Sequence, residues 1–402
     1  MPPAHGKNSQ VMFISLTAQL GGVERVLLAC VDAAQAMGCV TDGVLLLTAS
    51  DGPTVDELRR RGVALKSLAL PKAVTRMDSS SRGGYLRMML RLPFLLPALL
   101  LYLFRLRRIL ARSPARLLHA HGLKAGLLTA IAAPHDRQVI WHVHDFLSLR
   151  GRFTIRLLRF TAPRVSLAVA VSDAIARDLA QLLPGLPVAT LPNAVGAGFL
   201  AEVALPRKQQ GRLRVGLLAT FGYWKGHSLF LRAAARIHAA RPGTMQFLIV
   251  GGALHETGSA QTDARDLRKQ ADALGIAETV EFLPFNPNVR GIYESLDVIV
   301  NSSTQPEPFG MTLIEGMSRG CAAVAPDIGG PVEILDEGRA GLLYAPYDDA
   351  ALAAALAKLL DSPELRNSLA AAGMKRVHKN YAPLTFAHGL AVLYQGLEAP
   401  QG

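Results

Sequence analysis

The sequence is poor in cysteine, in charge and in aromatic residues, and each shortage excludes a class of protein. Three cysteines in 402 residues, Cys30, Cys39 and Cys321, cannot build a disulfide scaffold. We therefore expect a cytoplasmic protein. Only 18% of the residues are charged and 50% are hydrophobic, which excludes a disordered chain. At this length the composition predicts two globular domains.

Targeting and membrane-spanning signals are missing as well. The first ten residues have neither the apolar core nor the cleavage site of a signal peptide, so we expect no export signal. The apolar run Leu92–Phe104 has thirteen residues without a charge, whereas roughly 20 apolar residues are needed to cross a bilayer. We expect no transmembrane helix at this run.

The net charge of +12 lies in one half of the chain. Residues 1–200 hold 24 Lys and Arg against 11 Asp and Glu, whereas residues 201–402 hold 19 against 20. No acidic residue occurs from Ser79 to His135, a stretch with nine basic residues: Arg82, Arg87, Arg91, Arg105, Arg107, Arg108, Arg112, Arg116 and Lys124. An apolar helix flanked by arginines can lie on an anionic lipid surface, which predicts peripheral association with the inner face of the membrane. The alternative is a core helix with a solvated basic end.

Short apolar runs alternate with helical segments along nearly the whole chain. The predicted strands are Val11–Leu16, Val44–Leu47, Leu117–Ala120, Val139–His142, Leu167–Val171, Leu213–Leu218, Phe247–Val250, Val280–Phe282, Val298–Asn301 and Ala322–Ala325. The predicted helices include Val23–Met37, Ser228–Ala240 and Ala350–Leu360. This α/β alternation is typical of doubly wound parallel sheets with helices on both faces.

The alternating pattern starts twice, on either side of the non-periodic segment Pro192–Gly211, which we interpret as a linker. We predict a first domain over residues 1–198, a second over 199–385, and a C-terminal helix over 386–402 that packs back toward the first. Two such domains predict a ligand cleft at the carboxyl ends of their strands.

Strand-to-helix turns carry the candidate binding residues. Gly21 and Gly22 follow the first strand and allow a ligand to approach backbone N–H groups, although paired glycines also occur there for packing alone. Lys225 follows the strand that ends at Leu218 and offers a point charge for phosphate oxygens.

The segment Glu307–Glu315 is the most informative of these turns. A helix predicted to open at Gly310 offers the N–H groups of Gly310, Met311 and Thr312 to a diphosphate. Carboxylates at both ends of the turn, Glu307 and Glu315, can accept hydrogen bonds from sugar or ribose hydroxyls. Because Glu315 lies among apolar residues, it needs a buried partner.

Taken together, the motifs resemble the retaining glycosyltransferases of family 4, which have the two-domain GT-B fold. The resemblance is carried by these segments: Gly21–Glu24, His119–Gly122, His142–Asp145, Val171–Asp173, Pro192–Asn193, Lys225–Gly226, Val250–Gly251, Glu307 with Glu315, and Gly329–Glu333. The family implies transfer of a sugar from a UDP-, GDP- or ADP-sugar to a glycan or lipid-linked acceptor, with retention of the anomeric configuration, in the synthesis of a surface polysaccharide or glycolipid.

The resemblance also implies roles for individual residues. Lys225 and the amides from Gly310 to Thr312 would hold the diphosphate, Glu315 the ribose and Glu307 the sugar hydroxyls, and Lys225, Glu307 and His144 would be catalytic. The further donor-binding residues would be Gly22, Thr220 and Phe309, and the acceptor-binding residues would be Gly21, His121 and His144. On residue type alone, structural roles explain His144 and the other strand-end histidines better than functional ones, and the family resemblance is what favours a function for His144.

The sequence departs from the family pattern at two positions. Thr220 stands where an arginine is usual, which predicts either weaker donor binding or recruitment of another basic residue such as Arg290 or His227. Ala194 stands where the family has glycine. The chain also has no Asp-x-Asp triplet, and we recognise no Cys/His ligand cluster in the sequence. We therefore expect no metal cofactor, with Lys225 and helix dipoles stabilising the leaving group.

Two alternatives to a glycosyltransferase stay open. A glycoside phosphorylase of the same fold would use orthophosphate in place of the nucleotide, and a non-catalytic nucleotide-binding protein would keep the fold alone. We expect no nucleic-acid partner, because the arginines cluster with leucines and no recognisable RNA- or DNA-binding module accompanies them.

Overall fold

A computed structural model describes residues 10–16, 18–48, 51–71, 82–200, 211–252, 262–286 and 288–398. The side chains of residues 40, 82–94 and 197 lie outside this description, as do residues 201–210 of the predicted linker. The chain divides into two compact units. The first unit comprises the described residues of Met1–Val171, Ile175–Leu191 and Ala387–Gly402, and the second those of Ser172–Ala174 and Pro192–Phe386.

The first unit is built on a seven-stranded parallel sheet of order β3-β2-β1-β4-β5-β6-β7. Its strands are β1 Gln10–Ser15, β2 Val40–Leu46, β3 Leu65–Ser67, β4 Leu117–His121, β5 Gln138–Val143, β6 Leu167–Ala170 and β7 Val188–Thr190. Its helices are α1 Gly22–Ala36, α2 Pro53–Arg60, α3 Arg82–Arg112, α4 Leu123–Ala132, α5 Arg152–Thr161 and α6 Asp173–Leu182, whose first two residues group with the second unit. The order reverses between β1 and β4, which makes the carboxyl ends of these strands a topological switch point.

The second unit repeats the design with six parallel strands of order β10-β9-β8-β11-β12-β13. The strands are β8 Leu213–Leu218, β9 Met245–Gly251, β10 Val280–Pro284, β11 Val298–Val300, β12 Ala322–Pro326 and β13 Leu342–Tyr344. The helices are α7 His227–Ala240, α8 Ala264–Ala273, α9 Arg290–Ser295, α10 Met311–Ser318, α11 Gly330–Ile334, α12 Asp349–Asp361 and α13 Pro363–Asn380. The last helix, α14 Pro383–Glu398, begins in the second unit and belongs to the first unit from Ala387 onward. The switch point of this sheet lies between β8 and β11.

The strands bury apolar side chains on both faces, as a parallel sheet covered by helices requires. In the second unit, Val215 and Leu217 of β8 and Val298 and Val300 of β11 belong to one apolar core, which Phe230 of α7 completes. All ten predicted strands and the three predicted helices are confirmed, with ends that differ by at most a few residues. The three strands that the sequence analysis missed, β3, β7 and β13, are three residues long and lie at sheet edges.

Helix α3 contains the apolar run expected to be too short to cross a membrane. Among the described residues, no helix is long and apolar enough to span a bilayer.

Candidate functional site

The candidate site in the second unit forms where two loops follow the neighbouring strands β8 and β11. Ligands of open parallel sheets bind outside the carboxyl ends of strands at such a switch point. The first loop, residues 219–226, contains Thr220 and Lys225, and the second, residues 301–310, contains Glu307 and Phe309. The strand order thus brings together residues that lie more than eighty positions apart in sequence.

The two loops are fixed to each other by backbone contacts around Gly226. Gly226 has φ +72°, and a Cβ atom there would lie 1.7 Å from the carbonyl oxygen of Ser302. The Ser302 hydroxyl donates a hydrogen bond to the carbonyl oxygen of Lys225 over 2.9 Å, and Thr304 N–H donates to Trp224 O over 2.7 Å. Glycine is therefore required at position 226, and these contacts hold Lys225 at the end of β8.

Lys225 and Glu307 form an ion pair at this point. The Lys225 Nζ atom lies 2.7 Å from Glu307 Oε1 and 2.8 Å from Oε2, and the Ser303 hydroxyl donates to Oε2 over 2.7 Å. Burial by itself raises the pKa of the Glu307 carboxyl, but the charge and hydrogen bonds of Lys225, with the hydrogen bonds of Ser303 and Asn301, outweigh it and lower the pKa. Glu307 is therefore ionised at neutral pH.

The N-terminus of α10 follows Glu307 directly. Gly310 caps the helix with φ +129°, a conformation that L side chains rarely adopt. The first helical turn leaves the N–H groups of Met311 and Thr312 outside the intrahelical hydrogen bonds, and the helix dipole places partial positive charge there. Phe309 is buried with its ring against that of Tyr381, at 5.7 Å between centroids, so the turn is anchored by packing.

Glu315 has the buried partner that its surroundings require. Glu315 is 4% exposed, and the Tyr293 hydroxyl donates a hydrogen bond to Glu315 Oε2 over 2.8 Å. Tyr293 lies on the short helix α9 and is fully buried. This tyrosine was not predicted from the sequence, because no motif connects it with a glutamate on another helix.

The structure corrects one proposed replacement for the missing arginine at Thr220. His227 is buried, and burial together with the charge of Lys225 lowers its pKa to about 4, so that it is uncharged at neutral pH. The other candidate, Arg290, donates to Glu294 over 2.9 Å. Thr220 itself is half-buried in the loop that follows β8.

In the first unit, the glycine pair lies at the switch point between β1 and β4. Gly21 caps α1, and its N–H donates to Glu24 Oε2 over 3.1 Å. A Cβ atom at Gly22 would meet no heavy atom within 4 Å, so packing does not explain this glycine. The space beside Gly22 at the start of the helix is therefore open, and its role in donor binding stays a prediction.

Four histidines stack on one face of the first sheet: His119 and His121 on β4, His142 on β5, and His144 directly after it. Burial lowers the pKa of His144 to about 3, and burial with the neighbouring His144 does the same to His119. His144 is 8% exposed, whereas His121 is 1% exposed and stacked between its neighbours. The expected role of His121 in acceptor binding stays a prediction, and the burial of its side chain disfavours that role.

The structure also corrects the interpretation that the chain has no cysteine–histidine cluster. Cys30, His119, His121 and His142 each place one potential ligand atom within 4.8 Å of the others. Sequence spacing could not show this cluster, because its members come from α1, β4 and β5 and span 112 residues.

Family models match most of the chain. The model of the glycosyl transferases group 1 matches residues 205–376, and that of the glycosyl transferase 4-like domain matches residues 21–194. A D-inositol 3-phosphate glycosyltransferase of Acidothermus cellulolyticus is 36% identical over 191 residues, which are 46% of this chain and 41% of that protein. The lipopolysaccharide core biosynthesis mannosyltransferase LpsB of Rhizobium meliloti is 28% identical over 185 residues, 46% of this chain and 51% of that one. The matches thus span about half or less of the length of these curated relatives.

Solved structures resemble the chain over nearly its full length. The Anabaena protein HepE in complex with UDP has a TM-score of 0.77 and 20% identity, covering 96% of this chain and all of that one. HepE in complex with UDP-glucose has a TM-score of 0.76 and the same identity, covering 96% and 99% of the two chains. At this level of identity the likeness concerns the fold alone.

Proposed function

The chain belongs to the group 1 glycosyltransferases and has their GT-B fold, and on this premise we propose that it transfers a sugar from a nucleoside diphosphate sugar to an acceptor. The observation that carries the proposal is the Lys225–Glu307 ion pair at the switch point, directly before the N-terminus of α10. In this arrangement the Lys225 ammonium and the free N–H groups of α10 can bind a diphosphate, and the adjacent Glu307 carboxylate can accept hydrogen bonds from sugar hydroxyls.

Lys225 is the group that meets the leaving diphosphate. An ammonium group has three N–H donors, of which two are directed at the carboxylate oxygens of Glu307. The third donor is left for a phosphate oxygen, and the ion pair fixes its position before the donor binds. As the bond from the anomeric carbon to the diphosphate breaks, the negative charge that grows on the leaving oxygens is stabilised by Lys225 and by the amides of Met311 and Thr312.

The two carboxylates of the site serve different parts of the donor. Glu307 stays ionised beside Lys225 and accepts hydrogen bonds from hydroxyls of the sugar, where charge develops during transfer. Glu315 is held by Tyr293 and accepts hydrogen bonds from the ribose, which does not change in the reaction. The family resemblance supports retention of configuration.

A thermal-shift panel of UDP-, GDP- and ADP-sugars tests the donor proposal. A ligand present at 100 times its dissociation constant stabilises the folded state by about 2.7 kcal/mol, so one nucleotide series should raise Tm clearly above the others. The matched variant Glu315→Gln should lose most of this shift. The proposal fails if no nucleotide sugar stabilises the wild-type protein.

The product of turnover distinguishes this proposal from its enzymatic alternative. A glycosyltransferase releases a nucleoside diphosphate, whereas a phosphorylase of the same fold consumes orthophosphate and releases a sugar phosphate. Release that requires orthophosphate and ignores every nucleotide sugar would favour the phosphorylase.

We further propose that the acceptor is lipid-linked and that the enzyme reaches it from an anionic membrane surface. On α3, Tyr102, Leu106 and Leu110 recur every four residues and are buried. The opposite side exposes Leu100, Leu101 and Phe104, at 57%, 49% and 56%. This exposed face, which we call the α3 face, also carries the exposed arginines Arg105, Arg108 and Arg112.

Helix α5 of the same unit also exposes apolar and basic side chains. Helix α3 packs on α4, and α4 packs on α5. On α5, Phe160 is 81% exposed, and Arg152, Arg156 and Arg159 are exposed as well. Apolar side chains among arginines match a bilayer with anionic headgroups, to which each basic residue contributes on the order of 1 kcal/mol. The relative named as a lipopolysaccharide core mannosyltransferase supports an acceptor of this kind.

Sedimentation with vesicles tests the membrane proposal. Binding to vesicles of neutral lipid with added anionic lipid should fall as salt rises, because exposed charges are screened. Replacing Arg105 and Arg108 by Ser removes two such contributions and should weaken binding by about 30-fold. Replacing Arg265 and Lys269 of the second unit, which are 87% and 78% exposed, removes the same charge and should leave binding unchanged. Equal losses in both variants, or no binding at low salt, would make a soluble acceptor the better explanation.

A further inference from the structure

A buried cluster of metal-binding side chains lies in the core of the first unit. His119 and His121 are two residues apart on β4 and therefore face the same side of the sheet. Parallel pairing places His142 of β5 beside His121. Helix α1 adds Cys30, and all four residues are at most 1% exposed. The cluster is thus built on three elements of regular structure.

The distances within the cluster match those between ligands of a tetrahedral metal. His119 Nε2 lies 3.2 Å from His142 Nδ1, and Cys30 Sγ lies 4.0 Å from the same nitrogen. Zinc bonds of about 2.0–2.1 Å to nitrogen and 2.3 Å to sulfur place tetrahedral ligand atoms about 3.4–3.6 Å apart. With one nitrogen of His121, all four ligand atoms lie within 4.8 Å of one another. The widest separation exceeds the tetrahedral one by at most about 1.4 Å, so small side-chain movements would complete the coordination.

Unpartnered nitrogens in this cluster are a second, independent observation. Both ring nitrogens of His121 are buried without a hydrogen-bond partner among the described residues. An unsatisfied buried polar group costs about 1–3 kcal/mol. The stacked neighbouring imidazoles and the Phe13 ring, 6.1 Å from His121 between centroids, present no acceptor to these atoms. A bound cation would take up a lone pair of His121 that nothing else in the core uses.

Tyr394 supplies the supporting hydrogen bond that metal-bound histidines usually have. Its hydroxyl lies 2.8 Å from His119 Nδ1. With His119 Nε2 on a metal, Nδ1 carries the proton and donates to Tyr394, which fixes the ring orientation. Tyr394 lies on α14 and is grouped with the first unit.

We propose that Cys30, His119, His121 and His142 form a structural Zn²⁺ site in the core of the first unit. One thiolate and three imidazoles suit zinc, whereas Mg²⁺ and Ca²⁺ require oxygen ligands. Because the protein supplies all four ligands, the site is closed and ties α1 to β4 and β5 without a coordination position for substrate. Zinc binding releases the thiol proton of Cys30 to solvent. Lys225 and Glu307 belong to the second unit.

Metal content of the full-length protein without an affinity tag tests the proposal first. Purified protein dialysed against a weak chelator should retain one zinc per chain. After zinc removal in the presence of a strong chelator, Co²⁺ should restore one equivalent of metal and give a thiolate-to-cobalt charge-transfer band. Protein that retains no zinc and gives no such band would overturn the proposal and leave the cluster a stack of neutral imidazoles.

Matched cysteine variants locate the site. Cys30→Ser should lose the cobalt charge-transfer band and at least tenfold in zinc affinity. Cys321→Ser, which changes another buried cysteine, and Cys39→Ser should keep both. If Cys30→Ser does not fold, the band in the wild type and in both control variants still assigns the thiolate to Cys30. Zinc retained with full affinity in a folded Cys30→Ser, or a band lost in either control, would overturn the assignment.

Discussion

Lys225→Ala is the substitution that most directly tests the donor site. It removes the Nζ atom that contacts both oxygens of Glu307 and the one donor left for a phosphate. Loss of one oriented electrostatic contact to a transition state typically costs about 2.7–4 kcal/mol, so kcat/KM should fall by about 10²- to 10³-fold. Lys225→Arg keeps the charge but changes its geometry, and its rate should lie between those of the wild type and the alanine variant.

The same substitution should change the response to pH. Burial raises the pKa of Glu307, whereas the charge and hydrogen bonds of Lys225 are the largest effects that lower it. The pKa of Glu307 should therefore rise when Lys225 is removed. The acid limb of kcat/KM should therefore move to higher pH in Lys225→Ala. Because the folded-state pKa of Glu307 is lowered, its stabilising effect is present above its usual pKa of 4.5 and is lost as the pH falls through the folded value.

The cost in stability follows from the burial of the pair. Breaking a fully buried ion pair costs about 3–5 kcal/mol, because a charge is left unpaired. The Lys225 and Glu307 side chains keep 22% and 16% exposure, and Ser303 still donates to Glu307, so we expect a loss of about 1–3 kcal/mol at pH 7. The loss should be smaller at pH 3, where Glu307 is protonated in the unfolded state.

Three measurements check these expectations: nucleoside diphosphate release against pH, urea unfolding at pH 7 and pH 3, and both repeated on Lys358→Ala. Lys358 is an exposed lysine on α12 of the same unit and should be silent in each assay. An unchanged rate in Lys225→Ala would place the phosphate site elsewhere. A rate loss without any movement of the acid limb would refute the coupling between Lys225 and Glu307.

The remaining predictions concern the carboxylates, the loop glycine and added metal ions. Glu315→Gln should mainly raise the KM for the donor and Glu307→Gln should mainly lower kcat, because only Glu307 would contact the part of the donor whose charge changes; steady-state kinetics showing equal effects in both would argue against separate roles. Gly226 and Gly243 have nearly the same φ, +72° and +75°, but only at Gly226 would a Cβ lie close to another atom. Urea unfolding should therefore show a loss of roughly 1–2 kcal/mol from left-handed strain in Gly243→Ala and a larger loss in Gly226→Ala. Equal losses would contradict the contact with Ser302. Added Mg²⁺ or Mn²⁺ should not stimulate turnover, since Lys225 and the α10 amides serve the leaving group; a tenfold stimulation would show that the donor site needs a cation.

Most of the sheet framework could be predicted from composition and periodicity. Runs such as Leu213–Leu218 and Ala322–Ala325 are buried on both faces, and continuous apolar strands between helices are a strong local signal. The missed edge strands, Leu65–Ser67 and Val188–Thr190 among them, have partly exposed residues and pair with one neighbour only. A local pattern carries little information about such short edge strands, because tertiary pairing creates them.

The motif residues of the second unit were predictable for a different reason. Lys225, Glu307 and Gly310 lie in turns that immediately follow predicted strands, and a parallel sheet places all such turns at one edge. Their partners were not predictable: Tyr293 approaches Glu315 from another helix, and the neutral state of His227 results from burial that the sequence does not display.

The two parallel-sheet domains and the positions of the turns that carry Gly22, Lys225 and Glu307 could be predicted from local sequence, because both depend on the alternation of short apolar strands with helices along the chain. Which side chains from distant segments meet depends on the tertiary fold. Cys30 reaches the histidines of β4 and β5 only because α1 packs over the face on which they lie. Strand order and helix packing are set by burial of the whole core, so that contacts across more than a hundred residues leave no pattern in the sequence between them.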